Sequence, residues 1–320
     1  MKVREVCDAF LAAWQPTVRK RTFKVRAESF LLHLKPIADI EVEDLTTDML
    51  VQHIKTMRDK MHASTVSQWQ GLLKRCFAYA KHHRKIEKNI TEQLLCISYK
   101  SKRVAYITPK QFYALVEEMK TFTTLEDLEE KILFLETLFL TGIRHSECRA
   151  LQVFKFNFTE NTVLISNAIY SDQVGVWELT DPKTETSFRV ISVPEYHMRK
   201  IKCFVEKTGK KPADFLFAYP DGTPRIFTFA KWPLEKAGKR LGIKISTHGL
   251  RHSHATFLRQ SGLDLEKIQK RLGHSNVLIT LHYSHAKLNE EDVVDVIEKT
   301  CYPLSRGEEN ERKENNESDI

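Results

Sequence analysis

Apolar side chains recur at helical intervals through almost all of the first 95 residues. Between Ser29 and Leu34 the spacing suits a helix whose apolar face includes Phe30, Leu31 and Leu34, since residues three and four apart share one side. Thr46-Thr47-Asp48 offers hydroxyl and carboxylate caps for the free N–H groups of a helix carrying Met49, Leu50 and Ile54. Ser64-Thr65 opens a longer helix carrying Val66, Trp69, Leu72, Leu73, Phe77 and Tyr79. The pattern predicts a small all-helical domain over residues 1–97.

Periodicity fails in ISYKSKRVA, between Cys96 and Tyr106, so residues 98–104 read as an interdomain linker, a basic one with Lys100, Lys102 and Arg103. Thr108-Pro109 restarts the chain with a cap followed by proline at the first helical position. LFLETLFL, Leu133 to Leu140, is apolar on nearly every face and predicts a buried helix. Thr162–Ala168, Gly175–Leu179 and Phe188–Val193 are short β-branched or aromatic runs separated by turn residues, and predict a small antiparallel sheet. Helical spacing returns from Lys231 and ends with a helix at Glu290–Thr300. Residues 305–320, SRGEENERKENNESDI, are too polar to fold alone and read as a disordered tail. The fold class is therefore mainly α with a small antiparallel β-sheet, a helical domain preceding a mixed α/β domain of residues 105–304.

Composition narrows the setting. The 320 residues, 42% of them hydrophobic, suffice for two domains with their own cores. No apolar run approaches the roughly 20 residues of a membrane span, and MKVREVCDAF lacks a secretory apolar stretch, which points to a soluble cytoplasmic protein with no membrane partner. The six cysteines are widely spaced and contain no C-x-x-C, as reduced thiols would be. Residues 1–103 hold 20 Lys and Arg against 11 Asp and Glu, residues 104–304 hold 27 against 25, and residues 305–320 hold 3 against 6. A positive surplus confined to the first third fits a polyanion partner as well as it fits simple solubility.

Three separated segments carry candidate chemistry. In Thr141-Gly142-Ile143-Arg144-His145-Ser146-Glu147, glycine ends the buried helix in a left-handed conformation, and Arg144 and Glu147 lie one turn apart. Arg144 can offer a guanidinium fork to a phosphate while Glu147 braces it; a capped helix with a surface ion pair would look the same. In His248-Gly249-Leu250-Arg251-His252, His248 and Arg251 face the same way on a helix, an imidazole beside a fixed cation. His248 and His252 have the spacing to chelate zinc, but no H-E-x-x-H or C-x-x-C supports a metal site, and His252 and His254 read as packing residues or as supports behind the site. The third segment is Leu272-Gly273-His274, followed nine residues on by Tyr283 in LITLHYSH. Each of these residues, taken singly, has an ordinary structural role.

TGIRHSE, then HGLRH, then LGH and a tyrosine, in this order, resemble the signature of the tyrosine recombinase (phage integrase) family, over about Thr17 to Ile297. The resemblance implies active-site arginines at Arg144 and Arg251, histidine-type positions at His248 and His274, and the nucleophile at Tyr283. A hairpin lysine matches Lys183 in DPKTETSFRVISV, a context similar to phage and conjugative-element integrases. All six positions are filled, with Glu147 in support.

What the resemblance implies is a site-specific recombinase that cleaves and rejoins double-stranded DNA through a 3′-phosphotyrosyl intermediate. Tyr283, a phenol of ordinary pKa near 10, needs cationic company to become a nucleophile. Arg144 and Arg251 would clamp the non-bridging phosphate oxygens, His274 would donate a further hydrogen bond, His248 would act as acid or base, and Lys183 would protonate the leaving 5′-oxygen. No cofactor, metal or nucleotide is implied. The helical and catalytic domains would clamp duplex DNA, four protomers to an assembly, with accessory DNA-bending or directionality proteins as further partners. Leu288–Thr300 would pack on a neighbouring protomer or on its own domain. No segment before the helical domain is long enough for an arm-site domain, which favours a chromosome-dimer-resolvase-like setting, while the Lys183 hairpin favours a mobile-element integrase. A type IB topoisomerase-like enzyme shares the chemistry but not the LGH segment, and a silent DNA-binding regulator would lack one of the six residues.

Overall fold

Helical spacing in the first third resolves into four helices, α1 (Val3–Trp14), α2 (Lys20–Leu34), α3 (Thr47–Lys60) and α4 (Ala63–His82). The structure is a computed structural model and describes residues 1–99, 106–122, 127–173, 176–180, 188–273 and 290–306. Within them the chain forms two compact units, Met1–Arg103 and Val104–Ile320. The linker expected at residues 98–104 falls largely outside the described residues, as do residues 307–320 of the polar tail.

Thr46 caps α3 as its hydroxyl implies, accepting from the Met49 N–H at 3.2 Å. α4 begins at Ala63, one residue before the Ser64-Thr65 pair expected to open it. His62 is its cap, with Nδ1 accepting from the Ser64 N–H, a role that imidazole fills less often than a hydroxyl. The core of this unit is aromatic: Phe10, Trp14, Phe30, Trp69 and Phe77 are buried, and the Trp69 indole N–H donates to the Phe30 carbonyl at 3.2 Å. Leu31, expected on the inner face of α2, is exposed; Phe30 and Leu34, four apart, define that face instead.

The second unit is built around α6 (Leu128–Thr141), in which every residue from Leu133 to Leu140 is buried. A helix this apolar must be covered on all sides. It is covered by α5 (Pro109–Lys120), α8 (Glu195–Thr208) and α10 (Thr247–Gln260), with Phe112 of α5 stacked on Phe139 at 4.2 Å. The Thr108 hydroxyl and the Gln111 amide close a capping box at the start of α5, as Thr108-Pro109 predicts. α7 (His145–Arg149), α9 (Lys231–Arg240), α11 (Leu265–Leu272) and α12 (Glu290–Arg306) complete the helices.

Among the described residues five strands appear where three runs were expected: β1 (Phe156–Asn157), β2 (Thr162–Ile165), β3 (Ala168–Gln173), β4 (Val176–Thr180) and β5 (Arg189–Ser192). They form two antiparallel sheets, β1-β2-β5 and β3-β4. The run Thr162–Ala168 breaks at Ser166-Asn167, where the Asn167 side-chain oxygen accepts from the Lys155 ammonium and the Ser166 hydroxyl, both at 2.8 Å. α12 buries Val293, Ile297 and Cys301 in the core of its own unit, and its Glu298 accepts from the Glu195 N–H at 2.7 Å. Among the described residues no helix is long and apolar enough to cross a membrane.

Candidate active site

Arg144 and Glu147 stand where a helix start requires them. Gly142 ends α6 at φ +66°, and Arg144 becomes the N-cap of α7. Glu147, three residues on, accepts from the Arg144 backbone N–H at 2.8 Å and from its Nη1 at 2.7 Å. The ion pair anticipated between them is therefore also the cap.

Arg251 projects from the second turn of α10 and is only 5% exposed. Its Nη1 donates to the Gly142 carbonyl at 2.8 Å and its Nη2 to the Leu272 carbonyl at 2.7 Å. Burial, with Arg144 nearby, pulls its pKa down to about 9, which leaves it charged at neutral pH. His248, on the first turn of the same helix, is exposed, and its ring meets that of His252 edge to face at 5.0 Å. Their geometry is that of packed rings.

The C-terminal end of α11 draws these groups together. A helix end leaves carbonyls without partners and carries partial negative charge. Here three consecutive carbonyls each accept from a different guanidinium: Arg271 O from Arg189 Nε, Leu272 O from Arg251 Nη2 and Gly273 O from Arg144 Nη2, all at 2.7 Å. Arg189 also faces both Glu147 oxygens, Nη2 to Oε2 at 3.0 Å and Nη1 to Oε1 at 3.4 Å. Burial works to raise the Glu147 carboxyl, but Arg189 and Arg144 outweigh it and hold its pKa below the usual value.

A further layer lies beneath. Arg271, fully buried, donates from Nε to His254 Nε2 at 3.2 Å and from Nη2 to the Ser192 carbonyl at 3.0 Å. The His254 Nδ1–H is thereby left to donate to the Phe139 carbonyl at 2.8 Å. Arg144 and Arg189 thus bond one carboxylate with Arg251 nearby, a cationic cluster fixed in place by its own hydrogen bonds, and Arg271 braces the helix end beneath it. Two of Arg251's five N–H donors and two of Arg144's go to the bonds just described, so both retain donors for an anion.

Of the residues singled out by sequence, Arg144, Glu147 and Arg251 meet here, and His248 lies one turn before Arg251. Lys183, His274 and Tyr283 lie outside the described residues. His254, read from the sequence as a packing or supporting residue, is buried beneath the cluster; motif spacing does not reveal Arg189 or Arg271, although each left a trace. Ile191 of β5 and Val193 just beyond it are buried while Val190 is exposed, so strand parity turns Arg189 inward. In α11, Arg271 occupies the i+3 place of the stripe that begins at Ile268 and includes Leu272. A cation in an apolar stripe is the signal.

Buried histidines make this unit sensitive to acid. Burial drives the pKa of His145 and of His197 down to about 3 and that of His254 well below its usual value. An unfolded chain takes up protons near pH 6.5 that the folded chain refuses, so stability is lost as pH falls from about 6.5 toward 3. Glu147, whose pKa is depressed, adds a loss in the same direction at lower pH, and Glu136, whose buried carboxyl is raised, opposes it. The urea midpoint of the full chain is therefore expected to be lower at pH 5 than at pH 7.5. Equal midpoints would contradict burial of neutral histidines.

A model of the phage integrase family matches residues 105–290. A tyrosine recombinase of Pseudothermotoga lettingae is 25% identical over 272 residues, 82% of this chain and 84% of the relative. Tyrosine recombinase XerC of Bacillus subtilis is 28% identical over 230 residues, 69% and 70% of the two chains. Among solved structures, the Tn1549 transposon integrase in complex with transposon right end DNA aligns with a TM-score of 0.74 at 19% identity, covering 93% of this chain and 99% of that one. A lambda integrase dimer bound to a COC′ core site aligns with a TM-score of 0.66 at 14% identity, covering 90% and 100%. The two structural likenesses establish the fold.

Proposed function

The chain belongs to the phage integrase family of tyrosine recombinases, and we propose that Tyr283 is its nucleophile, with Arg144, Arg251, His248, His274 and Lys183 completing the reacting set. As a family member it is a site-specific recombinase, an enzyme that cleaves and rejoins DNA. The observation that carries the residue assignment is the convergence of Arg144 and Arg251 on the consecutive carbonyls of Gly273 and Leu272, immediately before His274 in the chain.

Attack on a DNA phosphate builds negative charge on the non-bridging oxygens. Two guanidiniums fixed beforehand stabilise that charge without reorganising during the reaction. Arg144, with 37% of its side chain exposed, is accessible to the phosphate, and Arg251 supports from beneath. His248, exposed on the first turn of α10, is available for proton transfer, and His274 would donate a further hydrogen bond. The Tyr283 oxygen gives up its proton to His248 as it forms the bond to phosphorus, the bond to the 5′-oxygen breaks, and Lys183 delivers a proton to that leaving oxygen. A 3′-phosphotyrosyl linkage and a free 5′-hydroxyl result. Attack by a 5′-hydroxyl from a second duplex reverses the step and seals the exchanged strand.

In its biological setting the protein integrates or excises a mobile element, a reading supported by alignment with 99% of the solved Tn1549 integrase chain, which spans residues 82–397 of that protein. It works as a homotetramer on duplex DNA, as the lambda integrase tetramer bound to a Holliday junction does, with accessory DNA-bending or directionality proteins as further partners. Covalent capture tests the assignment. A randomised pool of nicked duplexes is incubated with the full chain, SDS-resistant adducts are amplified through repeated rounds, and the final adduct is digested and sequenced by mass spectrometry. The expected outcome is enrichment of one duplex family, with the DNA remnant on the peptide containing Tyr283. Attachment at another residue overturns the assignment of Tyr283.

A further inference from the structure

Arg189 bonds to both halves of the arginine site while being too enclosed to lie on its surface. We infer that Arg189 is a positioning residue for strand cleavage: from β5 it fixes the Glu147 carboxylate that orients Arg144, and with the same guanidinium it fixes the last turn of α11, from which the chain continues to His274. The inference rests on the roles assigned above to Arg144 and His274.

The geometry is that of a strut. β5 is anchored to β2 in antiparallel register, with Arg189 opposite Ile165 and Ile191 opposite Val163, so the Cα of Arg189 is held by the sheet. Its side chain, 8% exposed, spends Nη1 and Nη2 on Glu147 and Nε on the Arg271 carbonyl. Arg144 reaches the same Glu147 oxygen that Arg189 Nη1 faces, Oε1, and sends Nη2 to Gly273, two residues beyond the Arg271 carbonyl. The two arginines therefore close a loop through Glu147 and the end of α11. Arg144 has exposed surface to offer a phosphate, whereas Arg189 acts through what it holds. Lysine would bring the charge but not a planar fork with three directed donors.

The groups facing Glu147 are Arg144 at the start of its own helix, Arg189 from β5, Arg251 from α10 and the neighbouring thiol of Cys148. Among the charges that keep the buried Glu147 ionised, Arg189 ranks first. Without it, Glu147 takes up a proton at a higher pH and releases Arg144 when it does so.

The test uses the full chain and the duplex enriched by covalent capture. Single-turnover cleavage is measured from pH 5 to 9, beside the Kd for the same duplex, for wild type, Arg189→Met, Arg189→Lys, Glu147→Gln and the double variant Arg189→Met/Glu147→Gln. Misplacing a reacting group by about 1 Å costs about 10²-fold. A loss of that size at pH 7 is expected for Arg189→Met with an unchanged Kd, and a smaller loss for Arg189→Lys. Arg189→Met is also expected to show a new acid limb, absent from the double variant because glutamine does not titrate. Wild-type cleavage by Arg189→Met, or a loss matched by an equal loss of affinity with no change in pH profile, overturns the inference. Should Arg189→Met fail to fold, wild-type cleavage and pH profile in Arg189→Lys overturn it. If wild type itself forms no adduct, the recombinase site assignment fails before any variant is compared.

Discussion

Arg251→Lys is expected to slow single-turnover DNA cleavage by about 10³-fold, the size of effect that removing one fixed donor at a charged transition state produces. The reason lies in geometry. Arg251 is 5% exposed and divides one planar guanidinium between the Gly142 and Leu272 carbonyls, at 2.8 and 2.7 Å, while keeping donors for an anion. An ammonium ion is a single point with three donors and cannot span both carbonyls and a phosphate. Burial would also depress the lysine pKa, weakening the charge that remains. Each buried carbonyl left without a donor costs about 1–3 kcal/mol, so the urea midpoint should fall as well. Affinity for the duplex should change far less, because a DNA-bound protein spreads its contacts over many phosphates. Cleavage by Arg251→Lys within tenfold of wild type would show that Arg251 is a structural brace and not part of the reaction.

The arginine cluster also shows how much of this site is legible without coordinates. Motif order brings out Arg144, Glu147 and Arg251 because each sits in a pattern with its own signature: a glycine helix end, a pair one turn apart after it, and His248 and Arg251 spaced to share a helix face. Local rules locate them; tertiary contacts decide what they do. Arg189 was hidden by its neighbours, since Phe188 and Val190 suggest an inward apolar face, and the structure exposes both. The strand takes the opposite parity because Ile191 and Val193 complete the core and Glu147 awaits a cation on that side. Arg271 was hidden for a related reason, because basic residues in the last turn of a helix usually lie in solvent, where they complement the helix dipole. Here the side chain runs inward to His254 and Ser192. Splitting of the expected sheet at Ser166-Asn167 likewise follows from a partner distant in sequence, Lys155, whose ammonium needs the Asn167 oxygen.

Gly142→Ala is expected to destabilise the full chain by about 3 kcal/mol, combining about 1–2 kcal/mol for a left-handed non-glycine residue with about 1–3 kcal/mol for overpacking. At φ +66° any Cβ is strained, and here it would also fall 2.4 Å from Cδ2 of His254 and 2.7 Å from a methyl of Leu272. Neither neighbour can retreat cheaply. His254 is pinned at Nδ1 by the Phe139 carbonyl and at Nε2 by Arg271, and Leu272 is buried with its carbonyl held by Arg251. Gly209→Ala provides the comparison, since Gly209 ends α8 at φ +64° with nothing within 4 Å of the added methyl. It should show the backbone cost alone, about 1–2 kcal/mol. Urea denaturation of the two variants under one set of conditions measures the difference directly. A clear excess for Gly142→Ala would locate the cost in the wall shared by His254 and Leu272. Because the Gly142 carbonyl accepts from Arg251, the same substitution should slow cleavage in whatever fraction remains folded. Equal losses in the two variants would mean that this wall yields easily, and that the arginine cluster is less rigidly built than its hydrogen bonds imply.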